Sequence, residues 1–409
     1  MKGLSGLSSQ FIKKSDKQYW PTIIALFFGS FVTFALLYCF QPLIPVFSSE
    51  YSISPSTASL SISTATASLA MAMLLMPSLS DRFGRRSVMC VSLIGSTILI
   101  ACISAINNFY AILPLRILQG IFLAGYPAIA MTYIQEEFNP AITGIVMGIF
   151  VSGNSIGGLL GRLIISTITD IFSWHIAVAA LSLLSLLISI WFYKNLPASH
   201  NFQKKSIAPH NVIQEFKANL KVGKLICIYI IGFLIMGSFV ALYNYIEYPL
   251  IAPPYSLSKT IVGFIFVIYL VGTFSSTLMG RLSNTKGPFR MLSVSLVLML
   301  IGVLLTLVVP LWLKILGIAI FTFGFFGAHS IASSSVVRLS PTGKAQSSAL
   351  YLLFYYAGSS VIGSWAGHFL SWIGWAGVVA LLSAAIILAL LIANTLLWQN
   401  QSVPQKANI

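Results

Sequence analysis

The residues of this chain whose chemistry stands out are polar groups set inside long apolar runs. Arg116 lies within one, in Arg116-Ile117-Leu118-Gln119-Gly120; Glu247 closes another, in Tyr243-Asn244-Tyr245-Ile246-Glu247; His329 follows Phe325-Phe326 in a third. In hydrocarbon an ionisable side chain costs several kcal/mol unless it meets a partner or a cavity, so each is a functional candidate. Arg116 either serves a cavity, binds carbonyls, or snorkels to an interface. Glu247 can pair with Arg116 in an ion pair that breaks on protonation, because burial disfavours a charged carboxylate and a cation favours it. Its other reading is a solvated acid beside an interfacial tyrosine belt. His329 is near-neutral at physiological pH and can carry protons or donate to a ligand, or be a satisfied core histidine. His175 and His368 sit near span ends and are weaker candidates.

A second constellation is a charged hairpin, Asp81-Arg82-Phe83-Gly84-Arg85-Arg86, with a worn copy between Gly280 and Arg290. At an offset of 203 residues Leu79-Ser80 falls on Leu282-Ser283 and Gly84 on Gly287. Gly84 permits a tight turn, and Asp81 can accept backbone donors at a helix N-terminus or pair with a basic neighbour. Asp81 becomes Asn284 and Arg85 becomes Pro288 in the copy, so a charge cluster here belongs to one side only. Other echoes exist: Gly153-Asn154-Ser155-Ile156-Gly157-Gly158 answers Gly358 to Gly363, and Trp174 answers Trp375. Glycines at such spacing let helices approach closely.

These residues are positioned by apolar segments. Apolar residues make up 57% of the 409 and charged residues 8%, far from a soluble composition of about 25% charged. This is an integral membrane protein. Twelve runs approach the roughly 20 residues a spanning helix needs: 21–46, 57–79, 87–106, 109–133, 141–168, 174–193, 224–248, 259–281, 289–308, 310–335, 345–370 and 375–398. Their length excludes the short alternating segments of a membrane barrel, so the fold class is all-α. The first run is too long and lacks a clear cleavage site for a signal peptide, so it is expected to remain as a membrane helix. The stretch 194–223 is hydrophilic, with a short surface helix expected at 211–221. It separates an N-terminal bundle, 1–193, from a C-terminal bundle, 224–409.

The net charge of +15 is a topology signal rather than a nucleic-acid footprint. Lys2, Lys13, Lys14 and Lys17 precede the first span, Arg82, Arg85 and Arg86 follow the second, and Lys194, Lys204, Lys205, Lys217, Lys221 and Lys224 fill the central stretch. Arg281, Lys286, Arg290, Arg338, Lys344 and Lys406 fall on that same side, and only Lys259 and Lys314 on the other. That asymmetry predicts both termini in the cytoplasm. The cysteines, Cys39, Cys90, Cys102 and Cys227, lie in spans without metal-ligand spacing and read as small buried apolar residues. No metal site and no catalytic residues are expected.

The hairpin resembles the signature of the major facilitator superfamily, Gly-x-x-x-Asp-Arg-x-Gly-Arg-Arg, with Pro77 where that family has Gly. Arg116 to Gly120 matches its Arg-x-x-Gln-Gly pattern. The run Gly153, Asn154, Gly157, Gly158, Arg162 is similar to the glycine-rich signature of drug and proton antiporters, with Asn154 where Pro is usual. Together with Tyr355-Tyr356-Ala357-Gly358, that form looks like the arabinose-efflux-like inner-membrane permeases, and the resemblance covers nearly the whole chain.

The resemblance implies two six-helix bundles that rock about a central cavity lined by helices one, four, seven and ten. That cavity would gather Tyr38, Gln41, Arg116, Gln119, Tyr243, Asn244, Glu247 and His329. It also implies a cytoplasmic latch between the halves, built from Asp81, Arg82, Gly84, Arg85 and Arg86 with Glu136 or Glu137 as partner. Arg162 either faces inward or pairs with Asp170. The chain is expected to be a bacterial inner-membrane transporter, a monomer, exporting a small organic solute or drug in exchange for protons. An uptake symporter or facilitator is the alternative, and a non-transporting receptor on the same fold a third. Many proton-coupled relatives carry an acid in the first span; this chain has none there. Its partners are the solute, protons and the bilayer, with no nucleic acid. It carries no phosphate-cradling loop, and no cofactor is expected.

Overall fold

The computed structural model describes residues 11–199, 209–341 and 343–401. Lys2, Lys204, Lys205 and Lys406 lie outside the described residues. Twelve spanning helices follow in order: α1 Tyr19–Glu50, α2 Pro55–Met73 continuing as Met76–Phe83, α3 Arg85–Ile103, α4 Phe109–Glu137, α5 Pro140–Ile171 and α6 Trp174–Asn195. The second half comprises α7 Gly223–Ile251, α8 Lys259–Lys286, α9 Pro288–Leu305, α10 Leu311–Leu339, α11 Lys344–Ile373 and α12 Trp375–Gln401. Between the halves the surface helix Pro209–Leu220 docks on the α10–α11 turn, where Ser340 donates to Asn219 Oδ1 at 3.0 Å. No strand occurs among the described residues beyond one isolated bridge, Ile12 with Phe138.

Five spans expected as continuous are interrupted: α8 by a 3-10 turn, Phe264–Ile268, that holds no proline, and the other four at a proline. Proline has no N–H for the carbonyl four residues earlier. The regular helix ends at that residue every time: Tyr38 before Pro42, Met73 before Pro77, Leu123 before Pro127 and Tyr245 before Pro249. In α2 the consequence is a 59° bend. In α1, α4 and α7 the break leaves carbonyls near the middle of the bundle for side chains to bind.

The glycine pattern of α5 is explained by packing on α1. A Cβ on Gly157 would lie 2.5 Å from Phe31 Cα of α1, and one on Gly358 of α11 would lie 2.7 Å from Phe233 Cα of α7. Only glycine allows backbones this close, so each half is built around one such pair, α1 with α5 and α7 with α11. The hairpin copies match as well. Gly84 has φ +88° and Gly287 φ +91°, a region that only glycine enters without strain. Among the cysteines, Cys39 and Cys90 are buried as expected, whereas Cys102 is exposed on the lipid-facing side and Cys227 is half-buried.

Candidate functional site

The breaks in α1 and α7 bring polar residues of the two halves together. Gln41 begins the turn after the α1 break and Asn244 lies in the last turn of the first segment of α7, and Gln41 Nε2 donates to Asn244 Oδ1 at 2.7 Å. Gln41 Oε1 accepts in turn from Arg162 Nε of α5 at 2.7 Å. Arg162, buried, gives Nη1 to the Gly158 carbonyl at 2.5 Å. Its guanidinium lies 4.6 Å from the Tyr38 ring and 4.9 Å from each of Phe266 and Tyr269 of α8. Arg162 therefore faces inward rather than toward Asp170. Asp170 instead accepts from the Thr260 amide and hydroxyl of α8, at 3.2 and 2.7 Å.

Arg116 is buried away from this chain of contacts. Its Nε donates to the Ser61 carbonyl of α2 at 2.6 Å, Nη1 to Leu36 at 3.2 Å and Nη2 to Leu37 at 2.8 Å, while Gln119 Oε1 also accepts from Nη1. Phe40 lies beneath it at 4.6 Å. Leu36 and Leu37 belong to the last turn before the α1 break, whose carbonyls lack helical donors. The expected ion pair of Arg116 with Glu247 does not form, because the freed backbone of α1 is the nearer and denser set of acceptors. Gln119 supports the arrangement, with Nε2 at 3.4 Å from the Leu36 carbonyl.

Glu247 is buried, so it is not the solvated loop acid of the alternative reading, and its Oε1 has no hydrogen-bond partner. The cations within electrostatic range of it are Arg162 and Lys259. Tyr243 shares its hydroxyl with Thr322 of α10 at 2.8 Å, and its ring meets Tyr269 at 4.7 Å. His329 is half-buried, with Nδ1 at 2.9 Å from the Tyr351 hydroxyl and its ring 4.6 Å from that of Tyr355. It thus belongs to an aromatic cluster between α10 and α11. Asn154 Oδ1 is buried without a partner. Sequence reasoning placed Tyr269 and Phe266 in no role; their nearness to Arg162 depends on how α8 leans on α5, which no local pattern encodes.

The hydrogen bonds joining the halves cluster from the end opposite the basic loops to about mid-span. Ser63 and Ser364 hydroxyls are 2.8 Å apart and those of Thr66 and Ser360 2.9 Å, while Ser56 donates to the Ser364 carbonyl at 2.9 Å. These polar residues explain why α11 is less apolar than the other spans: it faces α2 rather than lipid. At the basic end Arg85 binds Asp81 at 2.7 Å and Glu136 at 3.0 Å, and donates to Ser80 at 2.6 Å. Arg86 donates to the Tyr193 carbonyl at 2.6 Å, and Arg82 lies over the Phe83 ring. These contacts tie α2, α3, α4 and α6 within the first half, where the sequence led us to expect a bridge between halves. Glu137 is buried, and its carbonyl accepts from the Ile12 amide at 2.7 Å.

Residues 26–248 match the model of the Major Facilitator Superfamily. An uncharacterized MFS-type transporter of Bacillus subtilis, YybF, is 40% identical over 97% of this chain and 98% of its own length. The chain belongs to the major facilitator superfamily. Another relative, the inner membrane transport protein YnfM of Escherichia coli, is 40% identical over 95% of this chain and 93% of its own. Among solved structures, a bacterial homologue of the lysosomal transporter Spinster, inward-facing and occupied, superposes with a TM-score of 0.76 at 14% identity, covering 95% of this chain and 98% of that one. The major facilitator fold, twelve helices in an all-α membrane protein, is thus the frame for the site. The chain is a multi-pass membrane transporter of that type.

Proposed function

We propose that this transporter exports a small organic solute or drug in exchange for protons, its two halves rocking about the Arg162, Gln41 and Asn244 chain. The observation that carries the reading is Glu247: a buried carboxylate oxygen without a donor, next to a chain of hydrogen bonds that crosses between the halves. A buried charge without a partner is costly, so such a group is suited to take up and release a proton as its surroundings change. The bias of basic residues assigns the basic end and both termini to the cytoplasm. The halves are joined at the other end, which on this reading corresponds to an inward-facing stage of alternating access with the α2–α11 hydroxyl contacts as its outer gate. The Arg85 cluster is then a brace of the first half against which the second half closes.

Purified protein in proteoliposomes tests this. An imposed proton gradient should drive saturable solute movement against the direction of the protons, and Glu247→Gln should keep solute exchange while losing the response to the gradient. Movement with the protons would make the protein a symporter. Saturable binding with no flux would make it a receptor. A Glu247→Gln variant still driven by the gradient would remove Glu247 from coupling.

A further inference from the structure

Six charged side chains are buried among the described residues: Arg85, Arg116, Glu137, Arg162, Glu247 and Lys314. Arg85 and Glu137 belong to the basic end, and Lys314 is held at the opposite end by the Thr306 carbonyl. The middle of the bundle therefore holds two guanidinium groups, Arg116 and Arg162, against one carboxylate, Glu247. Arg116 spends its donors on backbone carbonyls and Gln119. Arg162 does not. Among the described residues its acceptors are Gln41 and Gly158, both neutral, reached through Nε and Nη1, and Nη2 has none. Nearby, the Tyr269 hydroxyl and Asn244 Nδ2 are buried donors without partners.

We infer that this central site takes an organic monoanion, a carboxylate on a compact apolar or aromatic body, with Arg162 as its anion-binding group. The inference rests on the transport reading and names the substrate class of the same site. A carboxylate accepts two N–H bonds from one guanidinium face, and these charge-assisted bonds are stronger than those to neutral acceptors. It would balance the excess of positive charge at mid-membrane, where an unbalanced charge is most costly. The rings of Tyr38, Phe266 and Tyr269 exclude water from the guanidinium and fix its plane. Glu247 lies within electrostatic range of the same guanidinium. A neutral solute would leave the charge excess in place, and a cationic one would enlarge it.

Equilibrium binding to the purified full-length transporter in detergent tests the class without any need for flux. The probes are benzoate, benzamide and benzylamine, which share a ring and differ in charge, read by thermal stabilisation at one fixed pH. Benzoate should stabilise the protein, with the other two at least about tenfold weaker, the equivalent of one charge-assisted bond. Arg162→Gln should abolish the benzoate effect. Arg162→Lys, which keeps the charge and guards against a folding failure, should retain it in weakened form. Equal stabilisation by all three probes, none by benzoate, or an undiminished effect in Arg162→Gln would overturn the assignment. Benzoate binding without flux would leave the anion site intact and defeat the transport reading instead.

Discussion

Gln41 of α1 and Asn244 of α7 hydrogen-bond to each other across the two halves. They are 203 residues apart, the offset that relates the two charged hairpins, and Gln41 Nε2 meets Asn244 Oδ1 at 2.7 Å. Gln41 lies just past the end of the regular helix of α1 at Tyr38 and Asn244 just before that of α7 at Tyr245, so the two breaks bring one polar side chain from each half into contact.

That bridge has a measurable strength. Gln41→Ala and Asn244→Ala should each lower thermal stability, and a double-mutant cycle should show coupling of about 0.5–1.5 kcal/mol, the worth of one buried neutral hydrogen bond. Strict additivity of the two losses would mean that the halves are not held together here.

Arg116 is a structural residue by its contacts. Arg116→Ala leaves the Leu37 carbonyl buried without its donor, while Leu36 keeps Gln119 and Cys39 and Ser61 lies inside the regular helix of α2. At about 1–3 kcal/mol for an orphaned buried group, the variant should be destabilised by about that much and express less well. Wild-type melting behaviour with lost transport would return Arg116 to a role in the solute pathway.

The proposed outer gate can be tested by locking it. In a background without the four native cysteines, Thr66→Cys with Ser360→Cys replaces two hydroxyls now 2.9 Å apart. Oxidation should form an intramolecular disulfide that stops transport, and reduction should restore it. Continued transport by the oxidised, cross-linked protein would show that α2 and α11 need not separate.

Gly84 and Gly287 should behave alike. Nothing lies within 4 Å of a Cβ at either position, so the cost of alanine is backbone strain alone, about 1–3 kcal/mol at each. The losses should add, because the hairpins lie in different halves. A cost at Gly84 alone would tie that hairpin to the charge cluster rather than to its turn.

The Arg85 cluster should show the opposite, non-additive pattern. Asp81→Asn or Glu136→Gln alone leaves Arg85 one acid, whereas Arg85→Gln removes both ion pairs at once. The Arg85 variant should lose about 1–3 kcal/mol, more than either acid variant, in a melt of purified protein. Equal losses for all three would reduce the cluster to a single effective pair.

The sequence by itself determined the class, the spans and the repeat, because each rests on local chemistry. Twenty apolar residues in a row specify a membrane helix, a glycine specifies the hairpin turn, and basic residues mark one side of the bundle. Four of the helix breaks were legible too, since Pro42, Pro77, Pro127 and Pro249 each remove one N–H, although their collective effect on the central residues was not. Tertiary structure alone decided the partners of the buried charges. Arg116 and Arg162 are both arginines in apolar helices, and nothing in their neighbourhoods along the chain separates them. One lies against the freed carbonyls of α1, and the other points between the halves at Gln41, because the site is made where α1, α5, α7 and α8 converge. A side chain's partner there depends on distances between helices that sequence spacing does not carry.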